Sequence, residues 1–205
     1  MRPTQREGSA APRGTRNGGG TAGQRRERLV SSAFGVQAPA GEAFCFPGRR
    51  QGMVTFYSSQ AEARADAAQR GLREKVVCVV VDGPRVLVFE HEDAPEAGMQ
   101  LPAGGVEPGE TPAEAAVREL REESGLNLSG PQHVISYRWE AQLPERFTRQ
   151  VCHAFAFASP SHLPTTWNRQ ADGHPFAFRW ARLEQPGLDW EMDAALPYLT
   201  TTSPA

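Results

Sequence analysis

Lysine is all but missing from this 205-residue chain: Lys75 stands alone among 22 basic residues, and the other 21 are arginines. With abundant Ala, Gly and Pro, that bias reads as a GC-rich coding sequence, a statement about codons rather than chemistry. Cysteine is also scarce. Cys45, Cys78 and Cys152 are too few and too scattered for a disulfide framework or a Cys-rich metal site. Cys78 and Cys152 sit inside apolar runs, where buried reduced thiols are expected, and a cytoplasmic setting fits that chemistry. Long apolar runs are absent. The longest, Val76 to Val81, has six residues, against the roughly 20 that cross a bilayer. The N-terminus carries no apolar core of the secretory type, so no membrane partner is expected. The five histidines show no metal-ligand spacing, and His91-Glu92-Asp93 reads as a polar loop.

What is present is enough for one domain and a tail. Hydrophobic residues make up 39% and charged residues 22% of a chain with net charge −2. That total hides an asymmetry. Residues 1–50 hold nine Arg and three acids, a balance of +6, which leaves −8 on the other 155 residues. The net charge argues against a general polyanion binder, and no specific nucleic-acid partner is expected. Residues 1–52, with Gly18-Gly19-Gly20 and repeated Arg, Thr, Ala and Pro, have too few large apolar side chains to offset ordering entropy. They read as a disordered basic stretch, either a solvated tail or an over-long gene assignment with native translation starting at Met53; a basic arm for nucleic acid or an acidic surface, or an organellar transit peptide, are the functional alternatives. On this reading, deleting 1–52 leaves melting temperature and activity nearly unchanged.

From Met53 the texture changes. Ser58-Ser59, Ala-rich Gln60 to Gln69 and the stop at Gly71 predict a helix. Lys75 to Val81 and Arg85 to His91 predict a hairpin about Asp82-Gly83-Pro84. Gln100 to Val106 is a short extended piece, and His133 to Ala141, Gln150 to Ala158 and Phe176 to Leu183 are three further strands. Asp189 to Leu199 reads as a closing helix. The order predicts an α/β (α+β) fold, a mixed sheet sandwiched by helices.

Between the two groups of strands lies Gly104 to Leu126, G-G-V-E-P-G-E-T-P-A-E-A-A-V-R-E-L-R-E-E-S-G-L. Its second half is a helix with both ends specified: Thr111 as cap, Pro112 at the first position, Glu114 closing a capping box and Gly125 as the stop. At about 100° per residue, Ala113, Val117, Leu120 and Ser124 form the expected packing stripe. Glu119, Glu122 and Glu123 cluster on an adjacent face, where they repel one another, and two of them oppose the helix dipole. Clustered carboxylates are ligands for hard cations such as Mg²⁺ or Mn²⁺. Gly104, Gly105 and Gly109 let the preceding loop fold tightly against that face.

The segment resembles the signature of the Nudix hydrolase family, G-x5-E-x7-R-E-U-x-E-E-x-G-U with U aliphatic. It matches at Gly104, Glu110, Arg118, Glu119, Leu120, Glu122, Glu123, Gly125 and Leu126. The resemblance implies a Nudix-type α/β/α sandwich around a mixed, curved sheet over residues 53–205. It implies Mg²⁺, with Mn²⁺ as a substitute, on Glu119, Glu122 and Glu123, with Glu110 completing the metal or water network and Arg118 orienting the carboxylates. The activity implied is attack by water on phosphorus in a diphosphate linkage, on a nucleoside diphosphate joined to another moiety. The alternatives are a non-catalytic regulatory module that binds a nucleotide, which the complete carboxylate set disfavours, and an isopentenyl diphosphate isomerase, for which no Cys motif is evident. The general base is open among Glu110, Glu119, Glu140, Glu145 and Glu184, with a box residue favoured. Gly104 and Gly105 are expected to position the loop and phosphate. Candidates for the substrate pocket are Trp139, Trp167 and Arg149, with Tyr137, Phe147, Arg169 and Arg179 behind them. A homodimer is compatible with the sequence. Because the ligand face is expected to lie apart from the packing face, Glu123→Gln should abolish activity and leave the helix folded.

Overall fold

The computed structural model describes residues 52–143, 146–160 and 162–199, and the backbone alone of 43–45. Among the described residues are nine strands: β1 (Ala43–Cys45), β2 (Gly52–Phe56), β3 (Arg73–Asp82), β4 (Arg85–His91), β5 (Ala103–Gly105), β6 (Gln132–Gln142), β7 (Phe147–Ala158), β8 (Thr166–Ala171) and β9 (His174–Arg182). Helix α1 (Gln60–Arg70) precedes β3, helix α2 (Pro112–Ser124) follows β5, and 3-10 segments cover Pro95–Ala97 and Met192–Tyr198. The sheet runs β1-β2-β6-β7-β3-β4-β9-β8, with β5 paired to β3 off that path. The β3–β7 pair is parallel and its other neighbours are antiparallel, so the sheet is mixed, as the order of elements predicts.

The central position of β3 explains its run of valines. Val76, Cys78 and Val80 pack towards α2, whereas Val77 and Val79 pack into the opposite core with Met192, Ala194 and Ala195 of the second 3-10 segment. A strand buried on both faces reads as a continuous apolar run rather than an alternating one. Helix α1 caps as expected: the Ser59 hydroxyl accepts from the Glu62 N–H at 3.1 Å, and Gly71 closes the helix at φ +64°. Its buried Ala63 and Ala67 pack on Val151 of β7. Among the described residues no helix is long and apolar enough to cross a membrane.

Three features depart from the sequence reading. Strand β1 and Gly52 of β2 lie inside the stretch assigned to the tail, so the sheet begins upstream of Met53; the rest of that stretch, 1–42 and 46–51, lies outside the described residues. Strand β8 is an edge strand with mostly solvent-facing polar residues, which gives no apolar alternation to read. The expected closing helix is a 3-10 segment. Trp190 and Glu191 just before it have φ of +61° and +51°, and Pro197 inside it lacks an N–H, so no continuous α-helix spans 189–199.

Candidate active site

Helix α2 spans the expected residues and its ends are built as expected. The Thr111 hydroxyl accepts from the Glu114 N–H at 3.3 Å, the Glu114 carboxylate accepts from the Thr111 N–H at 2.8 Å, and Gly125 terminates the helix at φ +80°. Its buried face is Pro112, Ala115, Ala116, Leu120, Glu123 and Ser124, whereas Ala113 and Val117 are only partly covered. The helix is thus rolled by about a fifth of a turn from the predicted stripe. Two contacts account for the roll. Small Ala115 and Ala116 let β3 come close, so that Cys78 Sγ donates to the Ala116 carbonyl at 3.3 Å. The Ala103 N–H of β5 donates to Glu123 Oε2 at 2.9 Å and makes its burial tolerable. Glu123 therefore belongs to the packing face as well as to the ligand face, contrary to the expectation that the two are separate.

Arg118 organises the other carboxylates. Its guanidinium donates to both oxygens of Glu110 at 3.0 and 2.9 Å, to Glu119 Oε1 at 2.8 Å, to Glu122 Oε2 at 3.1 Å and to the Gly105 carbonyl at 2.8 Å. These acceptors, Glu110 foremost, raise its pKa further above the usual arginine value. The same fork holds the Glu110 carboxyl below its ordinary range. One planar cation thereby ties the loop from Gly105 to Glu110 to the middle of α2, a task that suits guanidinium and not ammonium.

Glu119 and Glu123 are seated on consecutive residues of β5. A Cβ at Gly104 would fall 1.9 Å from Glu119 Cδ and 2.1 Å from each of its oxygens, so the carboxylate occupies the space a side chain would need. Glu119 keeps one oxygen for Arg118, and no other donor reaches it among the described residues. Burial pushes the Glu123 carboxyl up to about 8, with Glu119 and Asp172 adding to the shift and the Ala103 N–H and Lys75 opposing it. Glu122 is half exposed. As the chain stands, Arg118 draws Glu119 and Glu122 to itself while β5 holds Glu123. Among the described residues only His91, Asp93 and His174 bring three ligand atoms within 4.8 Å of one another. The donor set on α2 is all oxygen, it repels itself, and one member is buried without a full counter-charge. A hard divalent cation meets those requirements.

On the face of the sheet opposite α2 is a cavity of about 260 Å³, lined by Lys75, Gln100, Tyr137, Trp139, Gln150 and Trp190 among others. The Trp139 and Trp190 rings meet edge-on at 6.4 Å. Each indole is held: Trp139 Nε1 donates to Glu191 at 2.5 Å, and Trp190 Nε1 donates to the Ala97 carbonyl at 2.7 Å. The buried Glu191 carboxylate also accepts from the Gly52 N–H at 2.7 Å. Lys75 pairs in register with Gly105 and lies close enough to act on Glu123, so it joins the cavity to the carboxylates. The sequence reading passed over this residue. Its signal was the chain's single lysine, set where every other cation is arginine.

The remaining candidates separate. Trp139 and Tyr137 line the cavity. Trp167 does not: it stacks on Phe178 at 5.1 Å and donates to the Ser124 carbonyl at 3.0 Å, so it braces the end of α2. Arg149 is not among the lining residues either, because it pairs with Glu140 and lies over the Phe147 ring. Arg169 donates to the Glu122 carbonyl, and Arg179 faces Glu90. Glu140 is engaged by Arg138 and Arg149, Glu184 is exposed, and Glu145 lies outside the described residues.

The family profile of the NUDIX domain matches residues 71–201. The chain is 30% identical over 171 residues to the octanoyltransferase of Myxococcus xanthus, which covers 82% of this chain and 43% of that protein. A 64-residue stretch is 44% identical to the RNA pyrophosphohydrolase of Xanthomonas campestris pv. campestris, covering 27% of this chain and 30% of that one. The chain thus spans less than half the length of either curated relative. A pyrophosphohydrolase structure from Bacillus subtilis aligns over 76% of this chain and 95% of its own, with 21% identity and a TM-score of 0.47.

Proposed function

The chain belongs to the NUDIX family, and from that membership we propose that it is a divalent-cation-dependent pyrophosphohydrolase acting on a nucleoside diphosphate linked to another moiety. The observation that carries this reading is the seating of Glu119 and Glu123 on adjacent residues of β5, with Glu122 open beside them. These three residues would hold the cation, Mg²⁺ with Mn²⁺ as a substitute. When bound it supplies charge neutralisation at phosphate oxygens and a lowered pKa for water. Glu110 is committed by both oxygens to Arg118, so its part is to brace the loop rather than to move a proton. The free oxygen of Glu119 is the atom to take the proton of the attacking water. As the water oxygen bonds to phosphorus, the bridging P–O bond breaks and its electron pair departs with the leaving phosphate. Lys75 sets a positive charge between Glu123 and the cavity, where a phosphate chain would run. The indoles of Trp139 and Trp190 and the amides of Gln100 and Gln150 suit a planar, hydrogen-bonding base.

The test is turnover on a panel of nucleoside triphosphates, nucleotide sugars, dinucleoside polyphosphates, ADP-ribose, NADH and coenzyme A with Mg²⁺, run beside Glu122→Gln. Glu122 is half exposed and carries no packing, so the variant should fold as the parent does and lose roughly a hundredfold or more in rate. Equal rates in the two proteins would remove α2 from the chemistry.

A further inference from the structure

Strand β4 ends at His91 and β9 begins at His174. His91 is opposite Phe176 in register, which puts His174 diagonally across from it on the face that carries α2, where Phe89, Phe176 and Phe178 form the core. The imidazoles sit on this aromatic layer. His91 meets Phe176 edge-on at 4.5 Å and His174 at 5.4 Å. Asp93, two residues beyond the strand, approaches His174 Nδ1 with Oδ2 at 2.9 Å. One ligand atom from each of the three residues lies within 4.8 Å of the others. A tetrahedral ion with bonds of roughly 2.0–2.2 Å sets its ligand atoms roughly 3.3–3.6 Å apart, so side-chain rotations must draw the three in from that separation.

Asp93, Asp172 and Glu96 lie close enough to act on His91 with negative charge, against burial and the His174 ring, which together hold its pKa below the ordinary value. The loop is fixed without any ion: the Glu92 N–H donates to the Pro175 carbonyl at 2.9 Å, and Asn168 Nδ2 donates to the Glu92 carboxylate at 2.7 Å. Three donors are thus held on paired strands and a pinned loop, while His174 and Asp93 remain about half exposed. A surface His–Asp ion pair would account for two of these residues and packing on Phe89 and Phe176 for the ring of His91, but neither calls for a nitrogen of His91 to converge on the pair.

We infer that His91, Asp93 and His174 form a site for a zinc-class divalent ion, distinct from the carboxylates of α2. Two imidazole nitrogens and one carboxylate oxygen select borderline transition ions over Mg²⁺, and three protein ligands leave a coordination position for water. The ion would clamp the segment after β4 to the β8–β9 turn. That segment continues through Ala97 and Gln100, which line the cavity, and the Ala97 carbonyl holds both Trp190 Nε1 and Gln100 Nε2. Occupancy therefore stiffens one wall of the cavity.

The experiment is a Zn²⁺ titration of the full chain in saturating Mg²⁺, followed by calorimetry and by the imidazole NMR signals of the histidines. The same titration is run on His91→Gln, His174→Gln and Asp93→Asn, with a thermal melt of each to confirm folding. One Zn²⁺ should bind the parent and shift the signals of His91 and His174 while leaving His133, His153 and His162 unmoved. Each histidine variant should weaken binding by roughly a hundredfold. Equal Zn²⁺ affinity in parent and folded variants overturns the assignment, as does binding that disappears in Glu122→Gln or leaves the two imidazole signals in place.

Discussion

Replacing Gly52 by alanine tests whether the folded domain begins upstream of Met53 and whether its first residues shape the cavity. An added Cβ would fall 2.3 Å from Glu191 Oε2, 2.6 Å from Trp139 Nε1 and 2.9 Å from Glu191 Cδ. The atoms in the way are ends of side chains, which ordinarily swing aside at small cost. Here they are not free to do so, because Glu191 is only 6% exposed and its two oxygens are engaged by the Gly52 N–H and the Trp139 indole. Moving the carboxylate breaks one or both of these charge-assisted bonds in a buried place, at about 1.5–3 kcal/mol each. The expected loss is about 2–4 kcal/mol, a drop in Tm of roughly 5–12 °C for a domain of this size. KM should rise with it, since the Trp139 ring loses the acceptor that orients it, while the Mg²⁺ dependence of kcat stays as in the parent. Thermal denaturation and steady-state kinetics give both numbers. The double variant Gly52→Ala/Glu191→Ala isolates the cause: with the carboxylate gone its clash is removed and the Trp139 indole it held can turn away from the methyl, so the two changes should couple by more than about 1 kcal/mol. A single variant melting within about 2 °C of the parent, or strictly additive effects, would refute the reasoning.

Gly104→Ala pushes the Glu119 carboxylate off β5, and a displacement on the order of 1 Å at a catalytic group costs about a hundredfold in rate; single-turnover rates within about threefold of the parent would show that the seat is not needed. The partly buried chain His133–Ser136–His153–Glu74, with contacts of 2.9, 2.8 and 3.0 Å, is expected to limit stability in acid. Burial lowers the pKa of His133 from 6.5 to about 4 and also lowers that of His153. Below pH 6.5 the unfolded chain takes up protons that the folded chain refuses, so stability is full above 6.5 and is lost as pH falls towards 4. Discounted for partial exposure of the ring, the His133 share is about 1–3 kcal/mol. His133→Gln should flatten the fall in Tm between pH 6.5 and 4.5, and parallel curves for the two proteins would sink the idea.

The sequence exposes what local chemistry dictates and conceals what depends on long-range neighbours. The ends of α2 are readable because Thr111, Pro112, Glu114 and Gly125 act within one turn of themselves. The valine run of β3 is readable because burial on both faces leaves no alternation. The roll of α2 is not, because it turns on a backbone N–H of Ala103, which every residue but proline owns. Trp139 and Trp167 have the same side chain in similar strand contexts; one lines the cavity and the other props up α2, and only the strand order decides which. His91 and His174 are 83 positions apart in the chain, so no local spacing rule could join them.

Gly52 shows how a boundary drawn from composition goes astray. The stretch before Met53 is polar and glycine-rich, and such composition signals disorder because it offers little apolar surface to bury. Gly52 contributes no apolar surface at all. It contributes an N–H to a buried carboxylate and the absence of a Cβ where that carboxylate lies. Neither registers in a count of hydrophobic residues. A cut at Met53 removes both together with β1, so deleting 1–52 should lower the melting temperature. Truncation ahead of Ala43 keeps β1, β2 and the Glu191 contact, and the difference between the two truncations measures what these few residues hold in place.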